Sequence, residues 1–321
     1  MTDAVPPTEV GPAKRRRPFP PKLRANPVLV KELRSRMRGG RAFLILTGYL
    51  TILAGFAGLV YILSVTALSS VSLGQADYSS VGIVIFGTVV LLELLMVCFI
   101  SPALTAGSIT TEREQRTFEL VSTTLLTARA LVMGKLGSAL SYLFLLLFVA
   151  FPLQALAYVF GGVAAAEVLI SAVLLVVTAL ATSALGLFFS SSQKRTLTST
   201  VLSYAVLLLG MFALPIILAI LLQFVPLLWF LGPTAGAPEP WKEAALIYIG
   251  VLAIATNPLA TAFATETLLF DEQKVFFYTQ SLGNGVDLPV PLPWIPYTIF
   301  YLVLTLILIR LSIRWVRRAE P

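Results

Sequence analysis

The chain has 321 residues, of which 57% are hydrophobic and 12% charged, with a formal net charge of +7. That is about half the charge of a soluble domain, and with a mean hydropathy of +0.89 it excludes an ordinary globular protein and points to a polytopic membrane protein. The absence of histidine and the single cysteine, Cys98, exclude disulfides within the chain, zinc sites built on His or Cys, His-ligated haem and His-based acid–base catalysis.

Residues 1–25 are rich in Pro, Lys and Arg and read as a disordered basic tail. "KRRRPFP" (Lys14 to Pro20) has no apolar stretch close behind it, which argues against a cleaved signal or a twin-arginine address. In 26–41, "NPVLVKELRSRMRGGR", Asn26 suits an N-cap and Pro27 the first helical position. Leu29, Leu33 and Met37 recur on one face, and Lys31, Arg34, Arg38 and Arg41 on another. This predicts an amphipathic interfacial helix on an anionic leaflet; a solvated basic arm is the alternative. Gly39-Gly40 then turns the chain into the membrane.

The long apolar runs beyond residue 41 must be helices, because backbone groups in lipid have to bond within their own segment. They predict a six-span domain over 42–314, with spans at about 42–68, 82–106, 133–160, 166–190, 197–224 and 294–314. The expected fold is therefore an all-α integral membrane protein with six transmembrane helices. The run 243–256, "EAALIYIGVLAIAT", is too short to span and predicts a re-entrant or interfacial segment before the last span. It lies in an external region, 225–293, that also holds Pro226, Pro233, Pro238, Pro240 and "LPVPLPW", and that predicts short helices dipping into the outer leaflet. Residues 315–321 form the second terminus. Placing both termini in the cytoplasm puts all of the 23 Lys and Arg on that side except Lys242 and Lys274, and half of the 16 Asp and Glu on the other, which satisfies the positive-inside rule.

Within the spans, Glu93 is a carboxylate in the middle of "VVLLELLMVC". It predicts either a pathway residue for a cation or proton, or a protonated side chain bonded between helices. Gly55 and Gly58 allow close helix contact. Pro152 and Pro215 predict kinks, and the aromatic residues of 276–301 an interfacial belt.

Between spans two and three, charge is concentrated in "SPALTAGSITTEREQRTFELVST". Pro102 and Gly107 bend or end the second span. Thr111 and Glu114 have capping-box spacing, and Glu112 and Arg116 are placed for an i, i+4 pair. Phe118, Val121 and Leu125 form an apolar stripe, and Thr127 suits the cap of the next helix. A helix with one charged and one apolar side is more than a connector needs.

The stretch "PALTAGSITTEREQRTFELVSTTLLTARALVMGK" resembles the signature loop of ABC-2-type transporter permeases, P-A-x-x-A-x-x-I-x-x-E-R-E-x-G-T-x-E-L-L-x-x-T-P-L-S followed by I-x-x-G-K. "NPVLVKELRSRMRGGRAF" resembles the connecting helix that opens the same family. The chain departs from the pattern at Arg116, where Gly is usual, and at Leu125, where Pro is usual. The resemblance implies the permease subunit of a prokaryotic ABC transporter, most often an exporter, in the plasma or inner membrane. Glu112, Arg113, Glu114, Arg116, Phe118 and Glu119 would then lie in or beside a cytoplasmic coupling helix facing a dimeric ATPase subunit. Lys194 and Arg195 in "SSSQKRT" would form a second contact, and a second permease copy or a homologue would complete the pathway. ATP and magnesium belong to the ATPase in that reading, and no cofactor, metal or nucleic acid to this chain. The residues agree on one point: Gly134-Lys135 is followed by Leu136 and lacks the glycine five positions before it, so no P-loop is present. No catalytic constellation stands out, so the chain itself is expected not to be an enzyme. A lipid-modifying membrane enzyme and a secondary transporter are the alternatives.

Overall fold

The computed structural model describes residues 28–32, 40–70, 78–117, 127–231, 240–272, 274–282 and 285–318. Six helices are long and apolar enough to cross a membrane: α1 (Gly40–Ser70), α2 (Tyr78–Thr105), α4 (Ala128–Phe160), α5 (Ala165–Ser192), the continuous pair α6 (Thr196–Leu208) and α7 (Leu214–Leu231), and α10 (Trp294–Arg318). They coincide with the six expected spans and mostly overrun them by a few residues. A five-residue helix, α3 (Thr110–Glu114), lies between α2 and α4. Two 15-residue helices, α8 (Pro240–Ile254) and α9 (Pro258–Glu272), precede a hairpin of β1 (Phe277–Ser281) and β2 (Asp287–Pro291). At 1.5 Å per residue, α8 reaches about 22 Å, short of a ~30 Å hydrocarbon core.

α5 is the centre of the bundle. Its most apolar stretch is 61% buried, against 11% for α1 and for α6. Lipid tails are as apolar as leucine, so close packing and hydrogen bonds hold such helices together rather than the hydrophobic effect. The composition of α5 fits that role: Ala179, Ala181, Ser183, Ala184 and Gly186 are all buried. A Cβ at Gly186 would collide with Thr105 of α2. Hydroxyls tie α5 to its neighbours, Thr182 to Ser101 of α2 and Thr178 to Tyr297 of α10, the latter at 2.6 Å. Tyr297 is fully buried and stacks on Tyr301. These two aromatics therefore belong to the packed interior and not to an interfacial belt. Gly48, Gly55 and Gly58 of α1 have open space where a Cβ would stand. The small-residue patch expected to mediate packing is therefore not used among the described residues.

Between α6 and α7 the chain makes one π turn, Leu209–Ala213. Pro215 leaves a gap in the hydrogen-bond ladder here: it has no N–H, so the Met211 carbonyl loses its ordinary i+4 donor. The side-chain amide of Asn257 donates to that carbonyl instead. The Asn257 side-chain oxygen, Oδ1, accepts from the N–H groups of Leu259 and Ala260, at 2.8 and 3.0 Å, capping α9 just before Pro258. One residue thus joins the α8–α9 turn to α6–α7, and Tyr301 ties the same turn to α10 by donating to the Thr256 carbonyl at 2.8 Å.

The first four residues of the Pro-rich "LPVPLP", 288–291, lie in strand β2 and not in one of the short helices expected for 225–293. Leu292 N–H donates to Phe276 and Leu282 N–H to Val286, which puts the hydrogen-bonded pairs at even-numbered residues. Pro289 and Pro291 oppose Thr279 and Phe277 in the alternate pairs, where no N–H is needed.

Candidate functional site

The charged stretch after α2 closes one end of the bundle. α3 begins with a fully buried Ile109 at its N-cap and has no side-chain cap. The capping box of Thr111 and Glu114 is not formed, because the N-cap falls two residues earlier, at Ile109. Its free N–H groups are met from across the bundle: Ile109 and Thr110 both donate to the Ser190 hydroxyl of α5, at 2.8 and 3.2 Å.

The other end of α3 is a Schellman turn. Thr117 N–H donates to the Glu112 carbonyl at 2.9 Å and Arg116 N–H to that of Arg113 at 3.1 Å, with Arg116 at φ +56°. This is the position where glycine is preferred, and it is the position where the chain departs from the permease pattern. Because the helix ends at Glu114, with Gln115 as its C-cap, Glu112 and Arg116 do not form the expected i, i+4 pair.

The charged side chains of α3 reach inward. The Lys135 ammonium of α4, only 2% exposed, donates to Glu112 at 2.8 Å, to Glu32 at 3.1 Å and to the Ser108 carbonyl at 2.7 Å. A buried ammonium requires such a shell, since leaving it unpaired costs several kcal/mol. Arg113 donates to the Gln193 carbonyl at the C-cap of α5, at 2.8 Å. Glu114 accepts from both the N–H and the hydroxyl of Thr196, at 2.7 and 2.9 Å, and so caps α6 from another helix. Three consecutive side chains therefore fix α3 to α4, to the end of α5 and to the start of α6. Thr127 caps α4 as expected, accepting from Ala130 N–H at 3.2 Å.

Glu32 belongs to a helical turn, 28–32, packed on the bundle. Val28 joins the cluster of Leu131, Val132 and Val316, and Leu29 rests against Gly137, while Lys31 points outward. Arg116, Lys194 and Arg195 are exposed. Phe118 and Glu119, with Val121 and Leu125, lie outside the described residues, as do Arg34, Arg38 and the side chain of Arg41. Sequence reasoning missed the partnership of Lys135 with Glu32 and Glu112. The available signals were a lysine inside an apolar run and a lone acid in a basic helix.

A second polar group sits deep among the spans. Glu93 is fully buried and accepts from the Gln154 amide at 2.8 Å. Its other oxygen, and the hydroxyl of buried Tyr49, have no partner among the described residues. A separate apolar cavity of about 230 Å³ lies between α2, α5, α6 and α10 and is lined by Cys98, Leu207, Met211 and Tyr301.

A scan against protein-family models gives no match to this chain, and neither does a search of curated proteins.

Proposed function

We propose that the chain is the permease subunit of an ABC-2-type transporter, an exporter driven by a separate ATPase subunit. The observation that carries this reading is α3. A push on a helix bonded to Lys135, Gln193 and Thr196 is transmitted to three long helices at once, which a flexible connector would not do. Arg116, Lys194 and Arg195 share the exposed edge of this end and form the contact for the ATPase. The distribution of Lys and Arg supports placing this end, with both termini, in the cytoplasm. ATP and magnesium are held by the partner, and the open face of α1 suits a second permease copy.

The test is purification of the tagged chain from its native membrane in mild detergent. A soluble ATPase should accompany it in stoichiometric amount, and Arg116→Glu with Arg195→Glu should release it without reducing membrane insertion. Purification with no ATPase would overturn the reading. The unpartnered oxygen of Glu93 favours a second reading, a proton- or cation-coupled secondary transporter. In that case Glu93→Gln abolishes transport, and no ATPase co-purifies.

A further inference from the structure

At the end of the bundle opposite α3, α9 packs on α2 and α5. A small cavity of about 20 Å³ lies in this joint. Its lining includes the polar residues Glu167, Ser171, Thr265 and Glu266; the rest is apolar, including Phe86 and Val90 of α2. Thr265 is 2% exposed, and its hydroxyl has no partner among the described residues. The Ser171 hydroxyl donates to the Val168 carbonyl at 2.9 Å, which leaves its lone pairs free. The ion pairs among the described residues both involve Lys135, so neither carboxylate has a basic partner there. The backbone N–H of Ala164 faces Glu167, and the second carboxylate is the remaining charged neighbour of Glu266. Glu266 is held in place by Gly87, where any Cβ would strike its carboxylate.

We propose that this cavity binds one hard divalent cation of calcium size. Two carboxylates and two hydroxyls supply only oxygen, the donor such ions take. The volume suits one water-sized occupant, and two negative charges match a divalent ion. Each carboxylate can bind through both oxygens, so with the two hydroxyls up to six donors are on offer. Among the described residues no cluster of three or more His, Cys, Asp or Glu is present, so affinity rests on two carboxylates and falls in the range of about 0.1–1 mM typical of weak extracellular calcium sites. The ion would clamp α9 to α2 and α5. Without it, burial and then the Glu167 charge push Glu266 up to about 7, and the pair retains a proton in its place.

The experiment is equilibrium binding of radioactive calcium to the full-length chain in detergent, after chelation, with melting temperature read in parallel. The expected result is about one calcium per chain in the stated range and a higher melting temperature with calcium. Glu167→Gln and Glu266→Gln each weaken binding by at least about tenfold, and Thr265→Val weakens it severalfold while keeping the side-chain shape. The absence of saturable binding below about 10 mM, or binding unchanged in both Gln variants, overturns the proposal. A Glu266-dependent loss of stability on raising the pH from about 4.5 to about 7 that is identical with and without calcium also overturns it, since a proton alone would then hold the pair. The assay needs neither ATPase nor transport, so its failure leaves the transporter reading standing, and the reverse is also true.

Discussion

At the α3 end of the bundle, a buried ammonium meets two carboxylates and a carbonyl. At the opposite end, two carboxylates face one cavity with no ammonium or guanidinium paired to either among the described residues. Both ends join a short helix to α5 or its neighbours, yet only the first is closed by the chain's own charges. A joint whose two carboxylates share a buried ammonium of the chain itself transmits force without an added component. A joint of carboxylates with no cation of the chain's own among the described residues depends on what the surroundings supply, a proton or a cation. The comparison separates a permanent coupling from a conditional one.

The largest effect expected is at the permanent end. Glu32→Gln combined with Glu112→Gln leaves the Lys135 charge buried and unpaired, and should cost about 3–5 kcal/mol in detergent unfolding. Lys135→Met should cost less, because it removes the buried charge and leaves two carboxylates whose side chains are 23% and 21% exposed. If Lys135→Met proves the more damaging change, the node is not held by charge pairing. Next, Asn257→Ala strips the Met211 carbonyl of its donor and α9 of its cap, and should cost about 1–3 kcal/mol. Its melting temperature checks whether α9 is anchored independently of the carboxylates.

At the conditional end the expectation is a slope. In chelator, the raised pKa of Glu266 means that the folded chain keeps a proton that the unfolded chain has lost. Stability should therefore fall as the pH rises from about 4.5 to about 7 and then level off. Glu266→Gln should flatten that fall, as read by melting temperature across the pH range. The smallest effect is Arg116→Gly. It removes a side chain from a left-handed residue at φ +56° and should raise stability by about 1 kcal/mol. Unchanged or lower stability would mean that the Arg116 side chain contributes as much as the backbone strain costs.

The spans were legible in the sequence because an uninterrupted apolar run of that length fits little except a membrane crossing. The α4 cap was legible because Thr127 acts within its own first turn. The charges of 112–116 were readable as a concentration with a purpose, but not as inward latches. Their partners lie far along the chain, Lys135 23 residues from Glu112 and Thr196 82 residues from Glu114, and local spacing carries no trace of them. The capping box and the Glu112–Arg116 pair are local patterns that long-range bonds overrode. The Schellman turn was hidden because arginine is a poor marker of left-handed backbone. The carboxylate pair of Glu167 and Glu266 was invisible for the same reason of distance: one begins a span, the other sits in a helix counted among short peripheral segments.

The hairpin has one more consequence. Residues of β2 outside the hydrogen-bonded pairs turn their backbone groups away from β1, and at two of these positions, 289 and 291, there is no N–H to offer. The outward carbonyl of Pro289 is already taken by the Tyr248 hydroxyl at 2.8 Å. A strand from a neighbouring molecule would find no donor at either position, and the Pro289 acceptor occupied. The same prolines that concealed the strand in the sequence thus make its outer edge a poor template for edge-to-edge pairing.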